Sequence, residues 1–166
     1  MIKRLTLVLT FLLISLPVFA QEVYLSISGK SSSIISGDSR HQYDIWIKPV
    51  ETAQNGKIEI FDAGLGGSVD IVTQNGANTS TSFSLYSFDD LYSIENGSLI
   101  SKGSTANTIT QLTTQNEERF KNRWVALSDV NNANENGYII RVTSDNGDDV
   151  NSFNFRVTSP EGQVLT

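Results

Sequence analysis

Tyr138-Ile139-Ile140-Arg141-Val142-Thr143 and Phe153-Asn154-Phe155-Arg156-Val157 decide the fold. Both are short runs of β-branched and aromatic residues, bounded by turn-forming residues, which favours strand over helix. Between them, Asp145-Asn146-Gly147-Asp148-Asp149 reads as an acidic hairpin loop. Two strands cannot bury both of their faces alone, so the rest of the chain has to supply partners.

Working outward, Val23-Tyr24-Leu25-Ser26-Ile27 alternates and reads as a first strand. Tyr43-Asp44-Ile45-Trp46-Ile47-Lys48 alternates too, with Tyr43, Ile45 and Ile47 inward and Asp44 and Lys48 outward. Trp46 falls on the outer face, where a loop or a ligand has to cover it. Pro49 should end that strand, because it has no N–H for a ladder. Asn55-Gly56 is a turn signal that predicts a hairpin into Ile58-Glu59-Ile60. Val69-Asp70-Ile71-Val72 is a short strand or an extended segment, Phe83-Ser84-Leu85-Tyr86 a clear strand, and Trp124-Val125-Ala126-Leu127 another. From Phe88 to Thr114 the pattern weakens into an irregular excursion with a short hairpin. Thr114-Gln115-Asn116-Glu117 has capping-box spacing, which predicts one helical turn near Glu117 to Lys121.

The result is seven or eight short strands separated by turns: an all-β, antiparallel β-sandwich of jelly-roll type. Its domain covers 21–159, with 160–166 as a tail or the start of a linker. The expected core is Ile45, Ile47, Ile58, Ile60, Phe83, Leu85, Ile140, Val142, Phe153 and Phe155.

The beginning of the chain reads differently. Lys3 and Arg4 precede a mostly apolar run from Leu5 to Val18, and Val18-Phe19-Ala20 offers a cleavage site. The run is short for a membrane span, so 1–20 is expected to be a signal peptide and the protein to be secreted or periplasmic. Removing it leaves 10 basic residues against 18 acidic ones, a mature charge of −8. That balance argues against nucleic acid and anionic membranes as partners. There is no cysteine, so an exported chain of this length has to rely on packing, with or without a metal.

The sequence offers little for nucleophilic catalysis. His41 is the only histidine, and it stands beside Arg40 at the edge of a strand; with no thiolate, a zinc site is equally unsupported. Lys57-Ile58-Glu59-Ile60-Phe61-Asp62-Ala63-Gly64-Leu65-Gly66-Gly67-Ser68-Val69-Asp70 carries the sharper chemistry: a strand entering a glycine-rich turn with an acid at each shoulder. Gly64, Gly66 and Gly67 would allow positive φ and a tight wrap, so that Asp62 and Asp70 could offer oxygens to calcium. Asp145, Asp148 and Asp149 form a second candidate calcium cluster. Neither stretch is an EF-hand, and the alternative is that all five acids simply build and solubilise turns. Asp62 and Asp70 could also act as the two carboxyls of a small hydrolase. Trp46, Tyr86 and Tyr92, with Phe88, either form a sugar-stacking platform or are covered by the excursion that follows.

Taken together, Tyr43 to Ile47, Gly56 to Asp62, Ser82 to Tyr86, Gly137 to Val142 and Phe153 to Val157 resemble exported bacterial β-sandwich modules of the pre-peptidase C-terminal and galactose-binding-like kind. The resemblance implies an accessory or binding module and transfers no site residues. The expected function is therefore a non-catalytic exported module for a glycan, a protein or a cell-surface component, with calcium as a stabiliser; the alternative is a carboxylate-dependent hydrolase.

Overall fold

Alternating apolar residues require two sheets facing each other, and a computed structural model shows how the chain arranges them. The structure describes residues 24–33, 41–48, 55–103, 106–130 and 136–165; the expected signal peptide lies outside them. One sheet contains β1 (Leu25–Ser28), β10 (Val150–Thr158), β3 (Lys57–Phe61) and β8 (Trp124–Asp129), in that order. The other contains β2 (Gln42–Ile47), β9 (Tyr138–Ser144), β4 (Thr81–Ser87) and β7 (Thr110–Thr114). Successive strands change sheets, except that β4 and β7 are antiparallel neighbours within one. This is the jelly-roll arrangement of eight strands in two antiparallel sheets. A short helix, α1 (Phe88–Leu91), and a separate hairpin of β5 (Tyr92–Glu95) and β6 (Ser98–Ser101) are inserted between β4 and β7.

The core follows from the alternation. Ile58, Ile60, Phe83, Leu85, Ile140, Val142 and Phe153 are buried, while Ile45, Ile47 and Phe155 are partly buried against them. Phe83 of one sheet meets Phe153 and Phe155 of the other at centroid distances of 5.0 and 6.1 Å, edge to face. Such contacts lock the two sheets together, since edge-to-face pairs are favoured beyond the area they bury.

The topology corrects two expected hairpins. β9 and β10 lie in different sheets, so Asp145 to Asp149 carries the chain across the sandwich. Asn55-Gly56 is indeed a turn, with Asn55 at φ 61°, yet β2 pairs with β9 while β3 pairs with β10 and β8. In both cases the strands on either side of the turn enter opposite sheets, so their inward residues face each other across the core instead of lying side by side in one sheet. Two further expectations are narrowed and one is corrected, the irregular stretch before Thr114 ending in a strand. Ile71 forms only an isolated bridge to Val150, β7 is a full strand, and the helical turn shrinks to a 3-10 turn at Glu118–Phe120. Thr114 does not cap it; its hydroxyl donates to the carbonyl of Ala63 instead. After Ser159 the chain turns back, with Val164 bridged to Thr158 and Leu165 packed on the core. Among the described residues no helix is long and apolar enough to cross a membrane.

Candidate functional site

Because inward residues alternate with outward ones, the sheet β2-β9-β4-β7 presents a second face away from the core. Its rows can be read from the register. Gln42, Thr143, Ser82 and Thr113 lie side by side across the four strands, and Asp44, Arg141, Ser84 and Gln111 form the next row. The two rows span roughly 14 Å across the strands at the usual spacing between neighbours. Ser82 and Thr113 share a hydroxyl–hydroxyl hydrogen bond of 2.8 Å. Within these four strands Asp44 and Arg141 are the only charged residues on this face.

Those two charges are spent on each other. Arg141 Nε and Nη2 donate to Asp44 Oδ1 and Oδ2, both at 2.8 Å, and the Tyr92 hydroxyl donates to Oδ2 at 2.7 Å. Burial pushes the Asp44 carboxyl up, but the guanidinium and the phenol outweigh it and hold the group below its ordinary value. The bond to Asp44 raises Tyr92 in turn. The face is thus polar and locally neutral, with a fixed guanidinium lying 5.6 Å from the Tyr86 ring centroid.

The third row is apolar. Ile139 is buried there by Phe88 and Leu91 of α1, and Tyr86, Tyr92 and Ala106 pack around them as a second small core. Trp46 stacks obliquely on Phe88, with centroids 4.8 Å apart, and donates through Nε1 to the carbonyl of Asn136. It remains 45 % exposed. The structure therefore gathers all four aromatic candidates at one end of this face. Tyr86, Phe88 and Tyr92 are largely covered, and Trp46 alone stays open. Sequence reading missed Asp44 and Arg141; the signal was an arginine between inward Ile140 and Val142, opposite an aspartate between inward Tyr43 and Ile45.

The opposite sheet carries an aromatic row that was also missed. Tyr24, Phe61 and Trp124 follow one another at 6.1 and 5.4 Å across its outer face, and Arg156 lies 4.1 Å over Trp124 while bonding Glu59. Their planes are tilted by 50° and 56°, so they pack on one another and offer no common flat surface.

The five candidate metal ligands fall into two separate loops. Asp149 is fully buried and accepts from the N–H groups of Thr73, Asn78 and Thr79 at 2.8, 2.7 and 3.0 Å. Asp148 accepts from the side chains of Thr73, Asn75 and Asn78. Asp145 accepts from the N–H groups of Ser80 and Gly147. In the central turn, Asp70 Oδ2 accepts from Gly66 and Gly67 N–H and Oδ1 from Ser152 N–H, tying the turn to β10. Asp62 is fully buried; Oδ1 accepts from Asn122 N–H at 2.7 Å, and Oδ2 has no partner. Burial raises Asp62, and burial together with the neighbouring Asp62 charge raises Asp70 to about 6 despite its three donors.

Of the three glycines of this turn, Gly66 takes the expected positive φ and Gly64 and Gly67 do not. Asp62 itself and Gly66 adopt positive φ, at 55° and 97°. Gly67 is there for space: a Cβ on it would stand 1.9 and 2.1 Å from the two Asp62 oxygens. Among the described residues no three acidic or histidine side chains gather as a cage. Asp62, sealed from solvent, presents no carboxyl to a substrate cleft of the kind a glycoside hydrolase uses. His41 contacts the carbonyl of Ser28 through Nδ1 at 3.0 Å. Compared with known proteins, the chain matches no family model, no curated protein and no solved structure.

Proposed function

We propose that the mature chain is a non-catalytic exported binding module that takes a neutral glycan on the outer face of β2-β9-β4-β7. The observation that carries this reading is the neutrality of an open polar face. Within its four strands the only two charges are paired as Asp44–Arg141, and the remaining outward strand positions are amides, hydroxyls and aromatic or aliphatic groups. Within the strands an anionic or cationic ligand finds no uncompensated countercharge; exposed Lys48 lies just past the end of β2, at the rim beyond Trp46. A polyhydroxylated neutral ligand finds side-chain donors and acceptors in register, and Trp46 as an exposed ring beside them.

The test is affinity electrophoresis and calorimetry of the mature protein on neutral and anionic polysaccharides. Binding to a neutral polymer is expected, weakened about tenfold by the floor variant Gln111→Ala/Thr113→Ala with an unchanged melting temperature. Binding to anionic polymers alone, or indifference to the floor variant, overturns the reading.

A second reading, calcium as a stabiliser, is favoured by one atom. Asp62 Oδ2 is buried without a partner beside a second carboxylate. We place the candidate ion at the central turn on the strength of that oxygen alone, because Asp70 beside it, like Asp148 and Asp149, has both oxygens engaged by donors.

A further inference from the structure

The hairpin β5–β6 pairs with itself alone, joined by a turn at Asn96-Gly97 whose φ values are 51° and 77°. Two-stranded hairpins are marginal in water, so this one depends on its base. That base is held: Phe88 and Leu91 are buried against Ile139, and Lys102 N–H donates to the Leu91 carbonyl at 2.8 Å. Side chains alternate along β5, so Tyr92 and Ile94 share one face, and Leu99 lies directly opposite Ile94. The Tyr92 hydroxyl reaches Asp44 on the outer face of the sheet, which fixes the direction in which that side of the hairpin looks. Ile94 stands about 7 Å further along the strand. Ile94 and Leu99 are 52 % and 53 % exposed.

We infer that the β5–β6 hairpin is the wall of the glycan-binding face, and that Ile94 and Leu99 receive the C–H face of a sugar whose hydroxyls bond the floor. The inference rests on the proposed glycan reading and deepens it. Tyr92, Ile94, Leu99 and Ser101 give the wall no charge, matching the neutral floor. A pyranose has an apolar face and a polar rim, the combination that an apolar wall beside a polar floor accommodates. Ile94 and Leu99 on this face, with Ile100 alone on the other, are too few for the core of a stable protein interface, which takes about 800 Å² per partner. A mature charge of −8 also opposes pairing with a second copy.

The test titrates the mature protein with three neutral probes: β-1,4-linked glucose and mannose hexasaccharides and an α-1,4-linked glucose hexasaccharide. The wall variant Ile94→Thr/Leu99→Thr keeps strand propensity at exposed positions, so its melting temperature should not move. Its affinity for the probe that binds should fall at least tenfold. Full affinity in the wall variant, with loss in Gln111→Ala/Thr113→Ala, overturns the wall and leaves the glycan face standing. Failure of the wild type to bind any of the three probes overturns both. Light scattering that shows a dimer dissociated by the wall variant also overturns the inference, because the surface then belongs to a second copy.

Discussion

The central turn and the late acidic loop contain the same kinds of residue and solve opposite problems. In the late loop, buried Asp149 is surrounded by backbone N–H groups from the 73–79 segment, so each oxygen has what water would have supplied. In the central turn, Asp62 is equally buried, yet one of its oxygens faces no donor. The difference lies in how many donors a distant segment brings, and this decides whether a buried carboxylate clasps the fold or strains it. Acidic composition alone does not distinguish the two.

The largest expected effect breaks the clasp. Asp149→Ala leaves three backbone N–H groups buried or half-buried without an acceptor. At about 1–3 kcal/mol for each orphaned group, the loss should be about 3 kcal/mol or more. Urea denaturation measures it; a loss below about 1 kcal/mol would mean that water replaces the carboxylate, and the contrast between the loops disappears.

Next comes the packing of the strained side. Gly67→Ala drives a methyl group into the Asp62 carboxylate and should cost about 2 kcal/mol, as over-packed sites do. A double-mutant cycle with Asp62→Ala checks the cause. If the contact is responsible, Gly67→Ala costs much less in the Asp62→Ala background than in the wild type. Strictly additive losses would place the cost in the turn backbone.

These particulars show what the sequence could and could not carry. Strand positions were legible because the period-two pattern at Ile58/Ile60, Phe83/Leu85 and Ile140/Val142 is a local signal. Pairing was not, since a jelly-roll sends consecutive strands to opposite sheets and makes Asn55-Gly56 and Asp145 to Asp149 look like hairpin turns. The acids of both loops were identifiable as special, but each also draws donors from residues more than fifty positions away, such as Asn122 for Asp62, Ser152 for Asp70 and Asn78 for Asp149. The pairing of Asp44 with Arg141 has the same non-local origin, with 97 positions between them. Trp46 was readable as outward and Phe88 as a neighbour in sequence of Tyr86 and Tyr92; that α1 folds over Ile139 was not.

A smaller effect appears on acidification. Asp70 sits at about 6 in the folded protein against an ordinary value of 3.8, so the folded state holds its proton more tightly than the unfolded chain. This group therefore favours folding at low pH, and its contribution is lost as pH rises from about 4 to 6. Across the whole window it amounts to about 3 kcal/mol, of which about 1 kcal/mol falls between pH 7 and pH 5. Melting should rise by a few degrees over that interval. Below about pH 4 the trend reverses, because Asp44, held low by Arg141, loses its pairing when protonated. The Asp70→Asn variant should flatten the slope between pH 7 and 5; an unchanged slope would assign it to other groups.

Calcium is the smallest expected effect and the one that separates the two loops most sharply. At an ion concentration equal to its dissociation constant, a single site adds about 0.4 kcal/mol, which amounts to about a degree or two of melting temperature. The central turn offers the uncompensated buried oxygen, Asp62 Oδ2, whereas both oxygens of Asp148 and of Asp149 already accept hydrogen bonds. The shift should therefore vanish in Asp62→Asn and survive in Asp148→Ala. It should also compete with protons. Both relieve the same pair of carboxylates, so the calcium shift at pH 7 should shrink at pH 5, where Asp70 is largely protonated. Melting curves with and without chelator at the two pH values decide the matter. A shift equal at both, or one abolished by Asp148→Ala, would move the ion to the late loop and reverse the roles assigned to the two regions.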